Sequence, residues 1–369
     1  MFNDSKKSCN FLDFIFYSSI VTAKSQIYGV IILRVLFKFF VLLTVIFFAG
    51  STTLFLFLNT SPANMPFNDY EFHIKDGMSA SKLADNLQSE HLIRSALFFK
   101  ILIRISQLDK NLKAGYILVS NGMKTTDIMK KILYADFITI SLTIPEGYSL
   151  KEINNVLITK NLVTKDEIDG FLNRSDYTSL IGLKDFPSAE GFLFPETYTF
   201  HKGVKTEKIY STMVKLFFVK LNEASNSIKS MKPDEMYKKL IIASIIEKEV
   251  RNREEASLVA GIFYNRLDLR MKLQSCATVQ YILDKPKERL LFDDLLIPSP
   301  YNTYLNEGVP PGPISSPGLN SLKAAFNPEK TDYLYFVVKD PVKGSHHFSV
   351  EYDEHLRAQE RYKSIQGFE

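Results

Sequence analysis

The sequence predicts an α+β protein carried on a single N-terminal membrane span. Three observations support this. Phe39–Leu58 is a run of 20 residues without a charge. A pattern of extended segment, glycine turn and short amphipathic helix recurs through residues 70–162. Leu240–Val250 reads as a helix that is apolar on nearly every side, and Asp332–Val338 as a β-strand. The chain has 369 residues, of which 46% are apolar and 23% charged, so it can fold and bury a sizeable core.

At the rise of a helix, the uncharged run crosses about 30 Å of hydrocarbon. Lys6, Lys7, Lys24, Arg34 and Lys38 precede it, against Asp4 and Asp13. That positive surplus keeps residues 1–38 in the cytoplasm and sends the chain outward after Asn59. A cleaved signal peptide is the rival reading. The run continues past Ala49-Gly50 with no small-x-small site after it, which favours an uncleaved anchor. The earlier apolar patch Phe11–Val21 is too short to span. Nearly all of the +4 net charge lies in this N-terminal part, so nothing predicts a nucleic-acid surface. Cys9 and Cys276 fall on opposite sides of the span and cannot pair.

Residues 59–69, with Pro62 and Pro66, read as a linker. The repeated pattern follows. Gly77-Met78-Ser79 precedes a helix at Lys82–Leu87, Gly122-Met123 one at Thr126–Ile132, and Gly147-Tyr148-Ser149 one at Lys151–Leu157. Ser95 caps a further helix to Leu108. Such units are too short to be stable alone, so residues 70–142 are expected to form one small layer. They resemble LysM-type modules, which bind amino-sugar glycans; a layer that only positions the next domain is the alternative.

Residues 143–369 carry the candidate chemistry. At about 100° per residue, Glu247 shares a helix face with Leu240, Ala243 and Ser244, whose small side chains leave space above it. A carboxyl among aliphatic groups is costly to ionise, as a general acid requires. Glu249 falls between Ile242 and Ile245, away from that face. The competing reading pairs Glu247 with a basic residue such as Arg266. Glu190–Tyr198 is dense in aromatics and carboxylates. It is either a packed corner or a sugar-binding wall through Glu196 and Tyr198. Gly308–Gly318 is too rich in proline and glycine for regular structure and reads as a rigid loop. Thr206 is the expected cap of a helix over 207–231. His346 and His347 are neighbours on a strand and face opposite ways, so they do not form a two-histidine metal site.

Seven motifs occur in one order. They are Glu190–Tyr198, Ala243–Glu249, Phe263–Leu267, Leu273-Gln274-Ser275, Ser299–Tyr304, Pro310–Ile314 and Gly344–Phe348. Together they closely resemble the YceG-like (MltG-type) family of endolytic murein transglycosylases, over about 72–357. The resemblance implies a membrane-anchored enzyme without metal or cofactor. It implies a LysM-like subdomain and a catalytic domain outside the cytoplasmic membrane, cutting peptidoglycan alongside wall synthases. The bond cut is the β-1,4 link between N-acetylmuramic acid and N-acetylglucosamine, leaving a 1,6-anhydro end. Glu247 matches the catalytic glutamate on this reading. Gln274, Asn302 and Tyr304, assigned by motif, either orient the sugars and the acetamido group or stabilise their loops, and His346 is a further candidate substrate contact. Cys276 stands where an aspartate is expected after Gln274-Ser275. Two other readings stay open: a wall-binding scaffold without activity, and a muramidase that leaves reducing ends.

Overall fold

A 49-residue helix, α1 (Phe11–Asn59), opens the computed structural model, which describes residues 11–63, 68–107, 112–283 and 285–363. Its portion Ile31–Asn59 is apolar and long enough to cross a membrane, and its side chains lie unburied by the rest of the chain. So many exposed Phe, Leu and Ile residues are unfavourable in water and favourable in lipid, which fits a single-pass anchor. The patch Phe11–Val21 belongs to the same continuous helix. Cys9 lies outside the described residues. The chain divides into two compact units, Met1–Asp136 and Phe137–Glu369.

In the first unit the order is β1 (Asp69–Ile74), α2 (Ala80–Ser89), α3 (Ala96–Ser106), β2 (Gly115–Ser120) and α4 (Thr125–Leu133). The two strands pair antiparallel with Phe72 opposite Ile117. Alternation turns Phe72, Ile74, Ile117 and Val119 inward, where Leu83, Leu87, Phe99, Ile103 and Ile128 meet them. Ser79 and Ser95 cap α2 and α3 through their hydroxyls. Helix α4 has Lys124 at its N-cap position and no side-chain cap of its own. Asn59, the last residue of α1, supplies it instead: its Oδ1 accepts from Thr126 N at 2.9 Å. Thr125 Oγ1 in turn donates to Leu58 O at 3.2 Å, so the end of the anchor is tied to this unit.

The second unit begins with β3 (Thr139–Thr143), α5 (Leu150–Thr159), α6 (Lys165–Leu172), α7 (Tyr177–Leu180) and β4 (Thr197–His201). Strand β3 pairs antiparallel with β4, so the third strand–turn–helix copy belongs here. Reciprocal Ser149/Glu152 and Thr164/Glu167 bonds start α5 and α6. Helix α8 (Thr206–Ala224) has no side-chain cap, because Thr206 is already helical and buried. Then come α9 (Pro233–Glu249), α10 (Ala256–Asp268), α11 (Cys276–Ile282), α12 (Leu319–Phe326), the hairpin β5 (Tyr335–Asp340) and β6 (Ser345–Ser349), and α13 (Tyr352–Lys363).

Helix α9 is the axis of this unit. Every residue from Leu240 to Ile246 is buried, because α10, α11 and α12 pack around it. Fully burying each Leu or Ile there contributes roughly 1.5–3 kcal/mol. The proline-rich loop is ordered without regular structure, and residues 312–318 are all buried. It occupies the space above Ala243 and Ser244: Ile314 N donates to Ser244 Oγ at 3.0 Å, and Ser315 Oγ to Ser244 O at 3.0 Å.

Candidate active site

Helix α9 comes out of the core at its C-terminal end, and there a groove of about 440 Å³ opens. One wall is α10 with the segment 273–276, which supply Arg266, Gln274, Ser275 and Cys276. Tyr304 adds to it. The other is the β5–β6 hairpin with α13, which supply Tyr335, His346 and His355. Glu249, the last residue of α9, is the acidic residue in the lining.

The Glu249 carboxylate is held at one end only. Its Oε1 accepts a very short bond from Ser275 Oγ and a second from Ala277 N at 3.2 Å. Its Oε2 has no partner among the described residues. Ser275 is fixed by a buried hydroxyl chain. Its N–H donates to Thr303 Oγ1 at 3.0 Å, Thr303 and Thr278 share a bond of 2.9 Å, and Thr278 Oγ1 donates to Ser275 O at 2.8 Å. Gln274 lies beside it with φ of +50°, a left-handed conformation costing about 1 kcal/mol for a residue with a Cβ. Its N–H donates to Thr303 O at 3.1 Å, and its side chain stays exposed. This local structure explains the Gln-Ser motif: it presents an amide and steadies a carboxylate.

The Phe263–Leu267 motif builds the wall behind. Gly261 leaves room for the backbone of Glu329. Asn265 Nδ2 donates to Thr331 O at 2.7 Å and Tyr333 O at 3.1 Å. Arg266 Nε donates to Leu334 O at 2.6 Å, and its Nη1 to Leu273 O at 2.9 Å. The chain entering β5 is thereby laced to α10. The Arg266 guanidinium stacks on Tyr335 at 5.2 Å and is buried, which lowers its pKa. It pairs with no carboxylate among the described residues, so it does not neutralise Glu247.

Two imidazoles line the groove, those of His346 and His355. His346 Nδ1 sits 2.7 Å from Glu255 Oε2, and the His346 backbone N–H donates to the same carboxylate. The Glu255 carboxylate beside Nδ1 fixes the orientation of the His346 ring. His355 Nδ1 is sealed from solvent without a partner. Burial, then Arg266 and His347, lower the His355 pKa and keep the ring neutral. Tyr304 OH lies 3.0 Å from Cys276 Sγ, and burial raises the pKa of both groups, which favours the thiol over the thiolate at Cys276. His347 turns the other way, toward Glu354 at 3.3 Å, as the strand alternation requires.

Of the residues singled out by sequence, Gln274, Tyr304 and His346 come together in this groove, and Glu247 does not line it. Glu247 is half-buried on the far side of the α9 terminus. Its Oε2 accepts from Gly318 N at 2.9 Å, and burial raises its pKa against the opposing bonds from Ser321 and Gly318. The raised pKa matches the helix-face argument. The open space does not, because the loop carrying Ile314 and Ser315 fills it. Glu249, expected to point away, faces the groove.

Three further expectations are corrected. Asn302 is fully buried and spends its side chain on the loop: Nδ2 donates to Leu295 O and Ile297 O, and Oδ1 accepts from Tyr304 N. Tyr198 is a core residue whose OH donates to Phe194 O at 2.6 Å. Glu196 is exposed, away from the groove lining, and accepts from Thr197 N. Glu190–Tyr198 is therefore a packed corner around Phe192 and Leu193. Arg266, Ser275 and His355 are groove residues that the sequence reading did not assign; that His355 and Glu249 end up near one another is set by tertiary packing.

The groove thus sets one carboxylate, held on one side, among amide, phenol and imidazole groups that can hydrogen-bond a polar ligand. Comparison with known proteins is specific: the chain belongs to the YceG-like family, whose model matches residues 72–361. It is 32% identical over 308 residues to an endolytic murein transglycosylase of Bacillus subtilis, covering 79% of this chain and 84% of that one. It is 30% identical over 314 residues to the endolytic murein transglycosylase of Streptococcus pneumoniae serotype 2, covering 77% of this chain and 56% of that longer protein. A crystal structure of a YceG-like protein from Listeria monocytogenes superposes with a TM-score of 0.53 at 34% identity, over 78% of this chain and 98% of that one.

Proposed function

We propose that this chain is a membrane-anchored endolytic murein transglycosylase whose proton donor is Glu249. The observation that carries the assignment is the carboxylate at the groove, with Oε1 held by Ser275 and Ala277 and Oε2 unpartnered among the described residues. The substrate is a peptidoglycan strand, cut at the β-1,4 bond between N-acetylmuramic acid and N-acetylglucosamine. Glu249 passes its proton from Oε2 to the bridging oxygen as the bond to the anomeric carbon breaks. The muramoyl 6-hydroxyl oxygen then bonds to that carbon, and its proton goes to the Glu249 carboxylate. The products are a free 4-hydroxyl and a 1,6-anhydro end, and the acid is restored. Because the attacking hydroxyl belongs to the same sugar, proximity replaces the second carboxylate used by most glycosidases.

Gln274, Tyr304 and His346 supply the hydrogen bonds that orient the sugars and their acetamido groups, with Arg266 and His355 beside them. The first unit is the LysM-like glycan-binding subdomain, a reading supported by its β1–α2–α3–β2 order. Helix α1 is the anchor in the cytoplasmic membrane, with the N-terminus inside, which places cleavage beside nascent strands and their synthases.

The test is digestion of purified sacculi by the full chain in detergent, with mass spectrometry of the released fragments. Wild type is expected to release anhydro-ended fragments. A muramidase releases products heavier by one water, and a scaffold binds sacculi without making new ends. Either result overturns the assignment.

A further inference from the structure

Helix α3 is apolar on two faces, and the first unit uses only one of them. Phe98, Phe99 and Ile103 face inward and are buried. Leu97, Ile101 and Ile105 face outward and are 70%, 50% and 75% exposed. Spaced by four, they form one stripe that drifts only about 40° per step. Lys100 and Arg104 run along its edge; Lys100 pairs with Asp85 at 2.6 Å, and Arg104 has no ion pair among the described residues. An apolar stripe edged by long basic side chains is the pattern of a helix lying in a membrane interface.

Its position names the occupant. The start of α3 is fastened to the outgoing end of α1. The rings of Phe98 and Phe55 meet edge-to-face at 5.4 Å. The Arg94 guanidinium sits 4.7 Å from the Phe57 ring, and its Nε donates to Thr60 Oγ1 at 2.9 Å. Phe55 and Phe57 belong to the last turns of the apolar span. A bilayer that surrounds α1 therefore has its outer interface at the level of these contacts, beside the exposed stripe. We infer that the outward face of α3, through Leu97, Ile101 and Ile105, docks on the lipid surface where α1 leaves the bilayer. The inference rests on α1 being the membrane anchor. It makes the first unit a second, peripheral contact with the membrane.

The chain contains no tryptophan, so a single introduced one is a clean reporter. The full chain is reconstituted into phosphatidylethanolamine/phosphatidylglycerol vesicles as I101W, I105W or F47W, with each fold checked by circular dichroism. Lipids brominated near the glycerol end serve as shallow quenchers and those brominated at the chain ends as deep ones. The expected result is blue-shifted emission from I101W and I105W that loses most of its intensity to the shallow quencher, with F47W quenched by the deep one. If F47W is quenched while the α3 reporters keep water-like, unquenched emission, the docking is refuted and the anchor stands. Blue-shifted but unquenched α3 reporters mean that protein, such as a second copy, covers the stripe, which also refutes it. An unquenched F47W refutes the anchor itself and the docking with it.

Discussion

Replacing Glu249 by glutamine tests the site most sharply, because the structure separates its effect on chemistry from its effect on folding. The amide keeps the volume of the side chain. Its carbonyl oxygen can accept from Ser275 Oγ and Ala277 N as the carboxylate does. Stability is therefore expected to change by no more than about 0.5 kcal/mol. The lost function is proton donation from Oε2, and a positioned acid–base group is worth roughly 10²–10⁴ in rate. That corresponds to about 2.7–5.5 kcal/mol of barrier. Glu247→Gln is the matched comparison. An amide there still accepts from Gly318 N, and burial already disfavours the charge it removes, so activity is expected to stay within a few-fold. The assay is the initial rate of anhydro-ended fragment release from sacculi, with thermal melting of each variant alongside. A folded E249Q that keeps wild-type activity refutes the assignment. So does an E247Q variant that melts normally and is inactive, which restores Glu247 as the acid.

Three other perturbations follow from named contacts. Glu190 is buried, accepts from Leu150 N and Tyr281 OH, and has its pKa pushed up from 4.5 to about 7 by burial. Between those values the folded state holds a proton that the unfolded chain releases. Stability contributed there is full at low pH and is lost as pH rises toward 7, by an amount on the order of 3 kcal/mol. Denaturant titrations from pH 4 to 8 should show this slope in wild type and a flatter profile in Glu190→Gln. At Gly261 a Cβ would lie 2.2 Å from Glu329 O and 3.1 Å from Thr331 Cγ2. The helical preference for alanine, about 1 kcal/mol, is outweighed because a backbone carbonyl cannot swing aside. Gly261→Ala should cost about 1–3 kcal/mol by chemical denaturation and lower activity through the displaced entry to β5. Cys276 lies close enough to Glu249 to feel its charge. An aspartate at 276 would set a second carboxylate beside Glu249. The rate of anhydro-ended fragment release should change several-fold in C276D; an unchanged rate shows that this position does not couple to the acid.

The sequence carried the elements better than it carried the site. Glycine turns, serine caps and apolar spacing placed the strand–turn–helix copies, because these signals are local. The long apolar helix α1 and the buried α9 were legible for the same reason. The cap of α4 was not, since it comes from Asn59, far away in the chain. Which of Glu247 and Glu249 lines the groove was illegible for a similar reason. A helical wheel shows which side chains are small, but not what fills the room they leave. Here a proline-rich loop fills it, and its backbone hydrogen-bonds to Ser244. Asn302 misled for a related reason: an asparagine in a loop beside a tyrosine has the chemistry of a sugar contact, yet three backbone groups use it fully. Gln274 and Tyr304 were placed by motif, and His346 by its neighbourhood, without any geometry to say why they meet.

If Glu249 is the proton donor, as proposed, the geometry also explains how one carboxylate serves both halves of the reaction. Proton donation and retrieval require the same oxygen to face the substrate before and after the bridging bond breaks. A carboxylate free to rotate would lose that register. In this groove rotation is resisted because Oε1 is bonded to Ser275 and Ala277, and Ser275 is in turn fixed by the Thr278–Thr303 hydroxyl chain. These groups sit on the segment that follows α10 and on the 299–304 loop, both packed against the buried end of α9. The apolar helix therefore does more than fill the core. Its rigidity sets where Glu249 emerges, and the hydroxyl chain sets which oxygen is left to carry the proton.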